Sequence, residues 1–150
     1  MHLDILQIVC NNCFVLPMDI QKLLKNNGYR VTTERQHVIN VINEHPLTVQ
    51  EIYNELKKGQ FDIDLASVYR SLNLFVKLGI VRALELGEGK KRYELVEEHN
   101  HHHHLVCNNC GSIENITMNE NYLLKAIDKK SKFKIDHHHL EFFGRCANCQ

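Results

Sequence analysis

Through the middle of the chain, apolar residues recur at helical spacing, and each run has readable ends. Ile20, Leu23 and Leu24 share one face of a helix predicted over 18–27, and Gly28 follows as a stop. Thr33-Glu34-Arg35-Gln36 fits a capping box, opening a helix through Val38, Ile39, Val41 and Ile42. Pro46 ends it, because the residue before a proline is pushed out of helical geometry. Thr48-Val49-Gln50-Glu51 is a second capping box, whose helix Gly59 closes. Asp64 caps a further helix predicted over 65–78, stopped by Gly79.

The period then changes. Residues 80–86 and 90–96 are β-compatible runs flanking Gly87-Glu88-Gly89, which predicts a hairpin. Helices followed by a two-stranded hairpin is the order of a winged helix-turn-helix. An unrelated small α/β unit with the same element order is the alternative. Residues 97–100 are polar and form the natural hinge. Beyond them the pattern predicts a strand ending at Cys107, a strand through Ile113 and Ile116, a helix over 119–130 and a strand over 133–143. The expected class is α+β, with a winged-helix unit at 18–96, the hinge, and a small α/β unit at 101–150. A core of about 50 residues usually needs a metal or a partner subunit to be stable.

Composition narrows the chemistry. The 150 residues are 43% hydrophobic and 24% charged, an ordinary globular balance. No apolar run approaches the roughly 20 residues of a membrane span. The start, MHLDILQIVCNNCFVLP, lacks a basic opening and a cleavage site, so a cytoplasmic protein is expected. Lys plus Arg equals Asp plus Glu at 18 each, so any DNA binding must arrange its charge locally. The anomaly is histidine: 11 of them, eight in the clusters at 99–104 and 137–139, beside six cysteines. This points to metal.

Cys107-x-x-Cys110 and Cys146-x-x-Cys149 are two pairs at metal-ligand spacing. Two tight turns that each bring two thiolates to one ion complete a closed tetrahedron, so zinc there would be structural. Gly111 follows the first pair, where a turn often needs a positive φ. Disulfides are the alternative, which a cytoplasmic setting disfavours. Cys10 and Cys13 repeat the spacing without a second pair, and residues 1–17 read as an upstream extension.

A strand splits four consecutive histidines between its faces, His102 with His104 and His101 with His103. His138 is set against His137 and His139 in the same way. One stretch can thus feed two metal sites, with Glu94, Glu114, Glu120 and Glu141 as oxygen donors suited to iron(II) or manganese. A solvated, loosely binding polyhistidine loop is the alternative. On the helix over 65–78, Val68, Leu72 and Phe75 face inward, while Ser67, Arg70, Asn73 (or Leu74) and Lys77 face outward with Tyr69 at the margin. Arg can pair bidentately with guanine, and Ser and Tyr can reach bases or phosphates.

The ordered motifs GYRVTTER, LASVYRSLN, RYEL, HHHHLVC-x-x-CG and HHHLEFFG-x-C-x-x-C resemble the ferric uptake regulator family over nearly all of 18–150. The resemblance implies a dimeric, metal-dependent transcription repressor that binds operator DNA through its winged helix and controls iron or zinc uptake. It implies structural zinc at Cys107, Cys110, Cys146 and Cys149, and a regulatory Fe2+ or Zn2+, with Mn2+ also accommodated. By position, Tyr69 and Arg70 resemble the operator-reading pair, and Arg30 the residue that enters the minor groove. Glu94, His102 and His104 resemble the hinge sensor site, which in the family gains one histidine from the DNA-binding unit. His37 and His45 each lie one place from where relatives carry it. His101, His103, His138 and Glu120 resemble a second site, with His103 where iron regulators commonly have aspartate. Peroxide sensors of the family carry aspartates where this chain has Glu94 and Asn115. A histidine-rich metal storage or trafficking protein is the rival outside the family. The hydrolase motif H-E-x-x-H and the deaminase motif H-x-E with P-C-x-x-C are absent, so neither an enzyme nor a small organic substrate is expected.

Overall fold

The structure is a computed structural model that describes residues 18–43, 45–87, 89–96, 101–136 and 138–150. The extension with Cys10 and Cys13, the hinge at 97–100, His99 and His137 lie outside the described residues. Among the described residues, four helices come first: α1 (Met18–Asn26), α2 (Thr33–Val41), α3 (Val49–Lys58) and α4 (Leu65–Lys77). A two-residue strand β1 (Leu47–Thr48) precedes α3, and a hairpin of β2 (Val81–Glu85) and β3 (Lys91–Leu95) follows α4. The remainder is β4 (His103–Cys107), β5 (Ile113–Ile116), α5 (Asn121–Lys130) and β6 (Glu141–Gly144), then a short 3-10 turn at Ala147–Cys149.

Local chemistry sets the helix ends. Thr48 and Glu51 form a reciprocal capping box at the start of α3, and the Asp64 carboxylate accepts from the Ser67 N–H at the start of α4. The cap of α2 falls one residue before its predicted place. Thr32, not Thr33, is extended, and its hydroxyl accepts from the Arg35 N–H. Val68, Leu72 and Phe75 of α4 are fully buried, joined by Leu24, Val38, Ile52 and Leu56 of the other helices. Val81 and Tyr93 close this core from the first sheet, whose order is β1-β3-β2. Burying one such side chain contributes about 1.5–3 kcal/mol, so this helical layer is the stable platform of the chain.

The second sheet has the order β5-β4-β6, with β4 antiparallel to β5 and parallel to β6. A smaller apolar cluster of Leu84, Leu86 and Val106, flanked by Ile113, ties the hairpin to this sheet. The strand predicted over 133–143 is much shorter, at Glu141–Gly144. Phe133 is largely exposed, and the Leu140 N–H is spent on the His103 ring rather than on a longer ladder. Among the described residues, no helix is long and apolar enough to cross a membrane.

Candidate metal centres and nucleic-acid face

Two turns bring the cysteines together. Cys107 ends β4, and the N–H of Gly111 bonds back to its carbonyl, closing the Cys107–Cys110 turn with Gly111 at φ +70°. The parallel β6 returns the chain so that the Cys146 N–H donates to the Cys107 sulfur. All four cysteines are free thiols, and their sulfurs lie within 4.8 Å of one another. Cys110 and Cys146 are 3.7 Å apart, far beyond a disulfide. Sulfurs about 2.3 Å from a tetrahedral ion have edges of about 3.8 Å, so the spacing fits a closed metal site.

The thiols are tuned for it. Backbone N–H groups of Cys146, Cys110 and Asn109 bring the Cys107 thiol down to about 6, so it is a ready thiolate at neutral pH. The Asn109 side chain pulls the Cys149 thiol down, but crowding by the sulfurs of Cys146 and Cys110 outweighs it and pushes that thiol up to about 11. A cluster that resists several thiolates at once is one that a divalent cation stabilises.

A second cluster spans the two sheets. Glu94, on β3, is fully buried, and His102, just before β4, and His104, on β4, face its carboxylate. Glu94 Oε2 faces His104 Nε2 at 3.0 Å and His102 Nε2 at 3.4 Å. Its other oxygen, Oε1, accepts from Arg82 Nε at 2.9 Å and also from Arg82 Nη2. Burial pulls the Glu94 carboxyl upward. The hydrogen bonds from His104 and Arg82, with the Arg82 charge, outweigh it and hold the group below the usual carboxylate value. Three converging donors, two imidazoles and a carboxylate, suit a divalent cation of the iron, manganese or zinc type.

The opposite face carries the third cluster, of His101, His103, Glu120 and His138. Glu120 precedes α5, and its carboxylate accepts from His103 and His138 through short contacts and lies 3.2 Å from His101 Nε2. Burial raises its carboxyl, but the His103 and His138 contacts bring it below the usual value. The Leu140 N–H donates to His103 Nδ1 at 3.2 Å, which assigns that ring's proton to Nε2, facing Glu120. His37 and His45 stand in none of the three clusters. The His37 ring stacks on Phe61 with centroids 3.7 Å apart, and burial pushes its pKa down against the pull of Glu34. His45 is exposed beside Pro46, in a cleft that Glu51, Arg92 and Cys110 also line.

On α4, Tyr69, Arg70 and Asn73 are exposed, whereas Leu74 is buried, which settles the outward position on Asn73. Ser67 is half-buried and accepts from Arg70 Nη2 at 2.7 Å. Arg30 is exposed, its carbonyl accepting from the Arg35 guanidinium. These side chains lie on one surface helix and the loop between α1 and α2.

The family model for "Ferric uptake regulator family" matches residues 26–143. The chain belongs to the ferric uptake regulator family. It is 36% identical over 139 residues to the ferric uptake regulation protein of Bacillus subtilis, covering 87% of this chain and 91% of that one. It is 32% identical over 131 residues to the peroxide-responsive repressor PerR of Staphylococcus saprophyticus, covering 85% and 86%. The solved ferric uptake regulator of Helicobacter pylori, described as having three functional metal binding sites, superposes with a TM-score of 0.77 at 27% identity. That likeness covers 87% of this chain and 89% of the Helicobacter chain. Family members are metal-responsive transcriptional regulators, and this chain has the same α+β fold with a four-cysteine cluster.

Sequence reasoning missed Arg82. Its signal was available: with Gly87-Glu88-Gly89 as the turn, residues 82 and 94 stand directly opposite in the hairpin.

Proposed function

We propose that this chain is a metal-dependent repressor that, as a homodimer, binds operator DNA and controls metal-uptake genes. The four cysteines hold a structural Zn2+. Glu94, His102 and His104 hold the regulatory ion, Fe2+ or Zn2+, with Mn2+ accommodated. His101, Glu120 and His138, with His103 at their centre, form an auxiliary site. Residues 18–96 act as the winged-helix unit, α4 reading the operator through Arg70, Tyr69, Ser67 and Asn73, with Arg30 in the minor groove. Residues 101–150 act as the dimerisation unit.

The observation that carries this reading is that one donor of the second cluster belongs to the hairpin and two to the segment that enters the next sheet, His102 just before β4 and His104 on it. An ion shared between them stabilises one arrangement of the two units over others, and so shifts the population toward a DNA-competent dimer. Matched reading helices then reach half-sites about one turn apart. A buried carboxylate flanked by two imidazoles has no such rationale in a storage protein. The likeness to a peroxide-responsive repressor keeps one variant in view, in which the ion at the same cluster reports oxidant rather than metal supply.

The test is operator binding of the full chain titrated in turn with Fe2+, Mn2+ and Zn2+, with and without peroxide. Metal-activated binding to a palindromic operator supports the repressor, and its abolition by peroxide selects the oxidant sensor. Binding indifferent to all three ions overturns the proposal.

A further inference from the structure

Glu94 is divided between two kinds of partner. Oε2 points to the imidazoles of His102 and His104, while both donating nitrogens of Arg82 converge on Oε1. Arg82 is the cross-strand neighbour of Glu94, so hairpin register and not chance fixes the pairing. The carboxylate is fully buried, whereas the Arg82 side chain keeps 28% of its surface exposed. Arg82 also lines the open cavity beside His101, Glu120 and His138, which places one permanent cation at the border of both histidine clusters.

An arginine charge does not titrate away. A dication arriving at Oε2 therefore meets a carboxylate that is already neutralised, and a positive charge a few ångströms off in a poorly solvated place. Oε1 is also engaged, so the ion is offered one carboxylate oxygen instead of two.

We propose that Arg82 is a resident competitor for the regulatory ion, a positioning residue that weakens metal binding at Glu94, His102 and His104 and holds Glu94 to one-oxygen ligation. The inference rests on the proposed sensor role of that cluster. It gives the guanidinium a function: in the metal-free state it stands in for the ion, keeping Glu94 charged and aimed, and it sets how much metal is needed to load the site.

The experiment uses the full chain with the cysteine metal in place and the third cluster disabled by His101→Ala/His138→Ala, which serves as the parent, with Co2+ alone as probe, read by its visible absorption and by competition with a chelator. Arg82→Met removes the charge and keeps the stem. Arg82→Gln removes the charge but keeps an N–H donor on the side chain, and it carries the test if the Met variant does not fold. Arg82→Lys keeps the charge. Both neutral variants should bind Co2+ at least about tenfold tighter than the parent, with the Lys variant within a few-fold of it. The Met variant's absorption should also shift, as the second carboxylate oxygen becomes available. Neutral variants that bind as the parent does, or more weakly, overturn the inference and leave Arg82 as a structural clamp on Glu94. His102→Ala/His104→Ala runs alongside: if it abolishes the Co2+ signal, an unchanged Arg82 series counts against Arg82 alone. If the signal persists, the sensor assignment fails, and this inference with it.

Discussion

Arg70→Ala separates DNA reading from folding. The Arg70 side chain is 69% exposed, bonds among the described residues to Ser67 on its own helix and lies 3.9 Å from the equally exposed Asp64. An exposed pair of this kind contributes about 0–1 kcal/mol, and alanine is at least as good a helix former as arginine. Stability should therefore change by less than about 1 kcal/mol. A bidentate arginine–guanine contact discriminates by about 1–3 kcal/mol, so operator affinity should fall roughly 5- to 150-fold. The assay is fluorescence anisotropy on the operator and on a base-substituted operator, over a range of salt, with unfolding and metal content measured in parallel. If Arg70 reads a base, the two DNAs become less distinguishable and the salt dependence stays nearly constant. If it touches only phosphate, both affinities fall together and the salt slope drops by about one ion. Unchanged operator affinity would refute the assignment of α4 as the reading helix.

Three further outcomes follow from the clusters. Cys107→Ser removes the thiolate that backbone N–H groups prepare, so the tightly held ion and the dimer should be lost together, checked by metal analysis and sedimentation; a stable metal-free dimer counts against the structural site. His102→Ala/His104→Ala should stay a folded dimer with its cysteine-bound ion, yet lose metal-activated operator binding, and a normal metal response would move the sensor to His101, Glu120 and His138. The Glu94 carboxyl is held below its unfolded value, so its contribution to metal-free stability is complete above about pH 5 and declines as pH falls through the lower folded value. Glu94→Gln should flatten that acid limb in a pH series of unfolding midpoints.

The helices were legible because their ends are written in single residues. Thr48 with Glu51, and Asp64 with Gly79, mark the bounds of α3 and α4 to within one residue. Strand alternation likewise sorts residues 101–104 into two faces, as the structure has them. Three things were hidden. A two-residue strand such as β1 has no periodicity to detect. The cap of α2 was ambiguous because two threonines stand side by side and only the backbone decides between them. The stretch 133–140 has a strand-like composition, but His138 and Leu140 are committed to the third cluster, so side-chain chemistry overrides β-propensity there.

Four identical side chains in a row have a consequence for errors in pairing. A strand that slips by one position exchanges its two faces, and in most proteins this brings the wrong groups inward. Here a β4 slipped by one position would still put imidazoles in three of the four places, with Asn100 or Leu105 taking the fourth, so the chemistry of the clusters rejects it only weakly. The veto comes from elsewhere: Val106 is buried against Leu84 and Leu86, and Cys107 must face Cys146. Fidelity at the histidines is thus enforced a few residues away, by an apolar side chain and a sulfur that need never touch the regulatory ion.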